Sequence, residues 1–93
     1  MAEQILKVRI VTPKQVIFDG SAISISSVNS AGKFDILARH ANFVTIVEKS
    51  PIIVRPVQVH GQPKKKDLTF SFPVAIIYTS KDIVSIYTDI SLK

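Results

Sequence analysis

Apolar side chains recur at every second position along almost the whole chain. Leu6, Val8 and Ile10 alternate with Lys7 and Arg9; Ile23 and Ile25 alternate with Ser24 and Ser26; Leu68, Phe70 and Phe72 alternate with Thr69 and Ser71. Residues i and i+2 share one face of an extended chain, so each run can bury one side and wet the other. The recurring types, Val, Ile, Phe and Thr, suit a pleated, half-buried surface. No window of about 12 residues holds a 3.6 period. Pro51, Pro56, Pro63 and Pro73 would break most helices in the second half. The pattern predicts an all-β chain.

Breakers divide the runs. Thr12-Pro13-Lys14 closes the first, and Asp19-Gly20-Ser21 is expected to close a short strand over residues 15–18. Asn29-Ser30-Ala31-Gly32, Glu48-Lys49-Ser50-Pro51, Gly61-Gln62-Pro63 and Ser80-Lys81-Asp82 supply further turns. Pro56 falls inside the run 52–59, where it would cost a ladder hydrogen bond. It is therefore expected at an edge or a bulge. Pro73 marks a bend between Phe72 and Val74. Short strands with turns at this spacing predict a two-sheet antiparallel β-sandwich of about eight to ten strands.

The 93 residues are expected to form one domain. A chain of this length buries about 60% of its unfolded surface, enough for one modest core and little room for a deep enclosed site. Hydrophobic residues at 46% against 20% charged favour folding over disorder. Without cysteine, the chain has no disulfides, zinc thiolates or thiol nucleophiles. The opening MAEQILKVRIV lacks the basic and apolar segments of a secretory signal. The longest apolar runs, about five residues, fall far below the length a membrane-crossing helix needs, so a soluble protein is expected.

The inventory for catalysis is thin. His40 and His60 lie twenty residues apart and lack metal-ligand spacing. There is no Gly-x-Ser-x-Gly elbow. With only Gly20, Gly32 and Gly61, no phosphate-cradling loop can be built. No metal or cofactor is expected. The net charge of +5 is partly local, since Lys64, Lys65 and Lys66 fall in one loop. A solvated loop is the plain explanation. A basic patch for an acidic partner is the other. Few aromatics flank these lysines, which counts against nucleic acid.

One stretch is motif-like, AGKFDILARHANFVTIV, residues 31–47. Gly32 permits a tight turn before Lys33. Phe34, Ile36 and Leu37 anchor a short strand, and Arg39 and His40 project from a polar corner that Asn42 ends. Phe43 then re-enters the core. Apolar anchors on both sides fix the corner's shape, which limits the ordering cost of docking. The same residues are equally an ordinary strand-to-strand turn with a solvated histidine.

Residues 32–43 resemble the Gly-Glu-x-Gly-Ile-Leu-Pro-Gly-His-Ala-Pro-Leu segment of the rotary ATP synthase epsilon subunit, whose mitochondrial counterpart is delta. Val8-Arg9-Ile10-Val11-Thr12-Pro13, followed by Val16-Ile17-Phe18-Asp19-Gly20, is similar to that family's opening. Ile83-Val84-Ser85-Ile86-Tyr87-Thr88-Asp89 resembles the strand that closes its N-terminal domain. The chain departs from the pattern at Lys33, Asp35, Ala38-Arg39 and Asn42, and it lacks the glycine pair near Pro73-Val74-Ala75. The resemblance implies a sandwich at the foot of the central stalk that binds the gamma subunit, rests on the membrane rotor ring and does no chemistry itself.

Carried onto this chain, the resemblance assigns Arg39, His40 and Asn42 to gamma and Asn29, Ser30, Ala31 and Lys33 to the ring. Gly32, Phe34, Ile36 and Leu37 would support the corner from beneath. It also implies the cytoplasmic face of a bacterial inner membrane, reached through the complex. The family's C-terminal helical hairpin is expected to be absent. Two other functions stand beside this one: a free-standing basic sandwich that binds an acidic partner through residues 64–66, and a small enzyme with His40 as base.

Overall fold

The computed structural model describes residues 5–39 and 42–89. Eight strands follow in chain order: β1 Leu6–Val11, β2 Val16–Asn29, β3 Gly32–Leu37, β4 Phe43–Glu48, β5 Pro51–Pro56, β6 Leu68–Ser71, β7 Val74–Ser80 and β8 Ile83–Thr88. They form one hydrogen-bonded sheet in the order β4-β7-β8-β1-β2-β5-β6, with β3 also on β2. The sheet curls because β2 belongs to both halves. Residues 16–22 pair with β1, while Ser24 to Asn29 pair with β3. The result is a sandwich, with β4, β7, β8, β1 and the start of β2 in one layer. The end of β2 with β3, β5 and β6 makes the other.

The two layers close on one aliphatic core. Leu6, Val8 and Ile10 of β1 meet Ile25, Ile36, Ile52, Val54, Ile77, Val84 and Ile86, all buried. Burying such a side chain contributes about 1.5–3 kcal/mol relative to leaving it exposed. Aromatic rings join the layers at both flanks. Phe18 lies 5.7 Å from Phe70, and Phe34 meets Phe43 edge-on at 5.7 Å.

The all-β sandwich expected from the alternation is the fold found, with four differences of detail. One pairing, β1 with β8, is parallel. These strands come from opposite ends of the chain, and the rest of the domain serves as the crossover a parallel pair requires. Asp19-Gly20-Ser21 does not end a strand; β2 runs through it. Gly20 serves packing, since a Cβ there would lie 3.0 Å from the ring of Phe18. Asp19 stands opposite Arg9, a pairing of unlike charges that favours the strand.

Ile23 and Ile25 do not share a face. Ile25 is buried and Ile23 is 37% exposed. The register against β5 shifts between Ala22 and Ser24, and the extra residue flips the alternation where β2 passes between layers. Pro56 ends β5 opposite Ala22, beside that shift, as its missing N–H leads one to expect. Leu37 does not lie beneath the corner. It is 56% exposed and points away from the core that its neighbour Ile36 enters.

Candidate functional site

Two features flank β3, one at each end. The first is the turn from β2, Ser30-Ala31, with Gly32 at φ 121°. No atom lies within 4 Å of a Cβ placed on Gly32, so its backbone conformation rather than space calls for glycine. Asn29 fastens the turn twice: its side-chain oxygen accepts from the Ala31 N–H at 2.9 Å, and its Nδ2 donates to Thr45 Oγ1 at 2.9 Å. Ser30 and Ala31 are exposed, as is Lys33 on the outer face of β3. Half-buried Asn29 is the hinge pin of the turn and shows little of itself.

The second feature is the corner at residues 38–42. Arg39 adopts φ 64°, a left-handed conformation that costs a side-chain-bearing residue about 1–2 kcal/mol. The cost is offset by a bond that only this conformation's neighbours supply: the Arg39 N–H donates to Asp82 Oδ1 at 2.5 Å. Asn42 Oδ1 accepts from the Lys81 N–H at 3.4 Å. Lys81 and Asp82 form the two-residue β7–β8 turn, both with positive φ, 51° and 63°. That is the mirror-image turn matched to the twist of a hairpin. The corner is thereby clipped to a rigid turn on both of its described sides. Ile36 lies in the core and Phe34 packs on Phe43, while Gly32, expected beneath the corner, lies at the far end of β3.

The structure thus brings Arg39 and Asn42 together on the β7–β8 turn and leaves the Arg39 side chain free in solvent. The length of β3, six residues or roughly 20 Å at about 3.3 Å per residue, separates Arg39 from Ser30 and Ala31, whereas Asn42 stands only three residues before Thr45, the partner of Asn29. His40, with Ala41, lies outside the described residues. The lysines at 64–66 are exposed in the connection between β5 and β6. Gln58 holds that connection by accepting from the Lys65 N–H at 2.8 Å and donating to the Lys65 carbonyl at 3.0 Å. Among the described residues no three His, Cys, Asp or Glu side chains gather as a metal site.

Alternation accounts for one buried face per strand and leaves a second, exposed apolar surface outside its reach. Val44 and Ile46 of β4, Tyr78 of β7, and Ile83 and Tyr87 of β8 are all exposed on the outer face of the first layer. Val44 stands opposite Tyr78, and Ile46 opposite Ile76, which in turn stands opposite Tyr87. The signal was present: Phe43-Val44-Thr45-Ile46-Val47 is apolar on both faces, as strands covered on both sides are.

Residues 5–90 match the family described as ATP synthase, Delta/Epsilon chain, beta-sandwich domain. An ATP synthase epsilon chain of Clostridium botulinum (strain Alaska E43 / Type E3) is 36% identical over 89 residues, covering 96% of this chain and 56% of that one. The epsilon chain of Sulfurimonas denitrificans is 38% identical over 47 residues, 50% of this chain and 36% of that one. This chain therefore spans about half the length, or less, of these relatives. The fold recurs in a chain of the Euglena gracilis mitochondrial ATP synthase assembly of OSCP, F1 and c-ring, with TM-score 0.78 and 14% identity over 96% of this chain and 53% of that one. It recurs again in the central stalk and c-ring of the Tetrahymena thermophila mitochondrial enzyme, with TM-score 0.67 and 15% identity over 89% and 62%.

Proposed function

The chain belongs to the ATP synthase delta/epsilon family through its β-sandwich domain, and from that premise we propose that it is a non-catalytic adaptor of the central stalk, joining the gamma subunit to the membrane rotor ring. The observation that carries this reading is the family match across residues 5–90. Two geometric features support it. A rigid body that must touch two neighbours needs two separate contact regions, and the turn at Ser30-Ala31 and the corner at Arg39 lie at opposite ends of one strand. Both regions are also braced from within, by Asn29 in one case and by Asp82 in the other. Binding there would order little that is loose, which keeps its entropic cost low.

In this reading Arg39, His40 and Asn42 face gamma, while Asn29, Ser30, Ala31 and Lys33 face the ring. Asn29 acts by holding the turn. The guanidinium of Arg39 is the strongest donor of the corner, with a planar fork that suits carboxylates. The domain turns with the rotor and passes torque through its shape, so ion flow and catalysis are linked without chemistry in the sandwich. The complex would sit at the cytoplasmic face of a bacterial inner membrane. The c-ring named for the assemblies of similar fold supports the ring as second neighbour.

Co-purification with the gamma subunit and the rotor ring tests the reading. The chain is expected to be retained by both. Arg39→Glu should weaken retention by gamma and leave the ring contact intact, and Lys33→Glu should do the reverse. If neither neighbour retains the chain under conditions where a relative's epsilon chain is held by both, the assignment fails.

A further inference from the structure

Strand β4 ends its layer. Phe43–Glu48 pair with β7 along one side, and among the described residues no strand is hydrogen-bonded along the other. Free edges are templates for further pairing, and proteins guard them with lysine, proline, bulges or brevity. The other edges are guarded. β3 carries Lys33 and Asp35 outward, and β6 is only four residues long. β4 has no lysine, proline or bulge; its register against β7 is unbroken through all six residues.

A groove of about 620 Å³ runs beside this edge, lined by Val28, Asn29 and Ser30 on one wall and Val44, Ile46 and Glu48 on the other. Val44 is 60% exposed and Ile46 53%, two residues apart, which is the spacing of side chains on one face of an extended segment. The far wall stands without a ligand, because Asn29 is fixed to Thr45. Glu48 closes one end and has no ion-pair partner among the described residues.

We infer that this groove receives an extended segment of a partner protein, which adds to β4 as a further strand. Main-chain hydrogen bonds would supply affinity, and alternate side chains selectivity. The segment carries apolar residues at every second position over Val44 and Ile46, and a Lys or Arg against Glu48. A second copy of this chain fits less well. β4 itself holds no lysine or arginine that could stand against Glu48 of another copy. The site does not depend on the stalk reading, which stands or falls on retention by gamma and the ring.

The probe is a blocked hexapeptide, Lys-Thr-Val-Thr-Val-Thr, against an isomer with adjacent valines, Lys-Thr-Thr-Val-Val-Thr. Titration into the labelled protein should move the backbone amides of Phe43–Glu48, protect those of Val44, Ile46 and Glu48, which point away from β7, and shift residues 28–30. The isomer should bind more weakly. Glu48→Gln should weaken the lysine peptide about two- to fivefold, as loss of an exposed ion pair does, and leave a peptide with Thr in place of Lys unaffected. Val44→Lys should remove binding, with unchanged amide shifts in β1 and β5 as proof of folding. Absence of peptide-dependent shifts in β4, equal binding of the two isomers, or shifts centred on β6 would overturn the inference. So would concentration-dependent dimerisation that protects β4 without peptide.

Discussion

The two layers of the sandwich turn unlike faces to solvent. The outer face of β3, β2 and β5 carries a polar circuit. Ser26 Oγ donates to Asp35, Arg55 donates to Ser26 and, at 3.4 Å, to Ser24, and its Nε lies 3.7 Å from Asp67. These polar side chains are partnered within their own layer, while Lys33 and the 56% exposed Leu37 stand free on the same face. The outer face of β4, β7 and β8 instead shows Val44, Ile46, Tyr78, Ile83 and Tyr87. Monomeric proteins seldom leave a contiguous apolar area of this kind uncovered, and tyrosine is enriched where partners meet. One core carries both faces, and the larger apolar area lies on the face of β4, β7 and β8. The corner at Arg39 and the groove along β4 both border that layer, through the β7–β8 turn and through Val44.

The largest expected effect tests the shared core. Ile77→Ala in the first layer and Ile25→Ala in the second should each cost about 2–5 kcal/mol, because both side chains are fully buried. In urea both variants should unfold in a single transition reported alike by probes on either layer. Separate transitions would break the comparison at its root, since the faces would then belong to independent units.

A smaller loss is expected on the polar face. Arg55→Ala removes the donor to two serines, one of them, Ser24, only 6% exposed. Leaving such a hydroxyl without its partner costs about 1–3 kcal/mol. The pairing with Asp67 adds little, since both side chains are more than a third exposed. Tyr78→Ser on the apolar face should change stability by no more than about 0.5 kcal/mol. Equal costs from the two substitutions would mean that the apolar face is part of the fold's own support rather than a surface awaiting cover.

Much of this contrast can be traced to particular residues in the sequence. Alternation placed Leu6, Val8 and Ile10 inside, because burial of one strand face is a local property. The corner was legible as a corner because apolar anchors flank it. What escaped was decided by residues far apart. Asp19-Gly20-Ser21 has the composition of a turn, yet the facing residues Arg9, Val8 and Lys7 of β1 keep it extended. The flip at Ile23 is set by the passage of β2 from one layer to the other, which no local pattern encodes. The left-handed backbone at Arg39 was not legible either, since its compensation comes from Asp82, 43 residues away.

That corner offers a finer test. Arg39→Gly should leave stability unchanged or raise it by up to about 1 kcal/mol, because glycine takes the left-handed conformation freely. It keeps the N–H that Asp82 accepts and removes the guanidinium. Loss of gamma retention with stability preserved would assign the contact to the side chain. Loss of both would assign Arg39 to the framework. Thr79→Val is a companion on the core side. The Thr79 hydroxyl is fully buried with no hydrogen-bond partner, so its replacement by an isosteric methyl should raise stability by about 1 kcal/mol. Thermal or urea midpoints measure both.

The smallest expected effect concerns the lysines of the polar layer. Lys64, Lys65 and Lys66 are solvent-exposed in the β5–β6 connection, and only the backbone of Lys65 is held, by Gln58. Replacing all three with Gln leaves those main-chain bonds in place and lowers the net charge from +5 to +2, since three of the twelve cations are removed. If the working contacts belong to the other layer and to the ends of β3, retention by gamma and the ring should be unchanged at low and high salt alike. If the chain instead works as a basic module for an acidic partner, binding should fall steeply with salt and vanish in the triple variant, because the affinity would come from released counterions. A salt series on the two proteins side by side decides between the layers, and a strong lysine dependence would move the functional surface from the apolar face to the polar one.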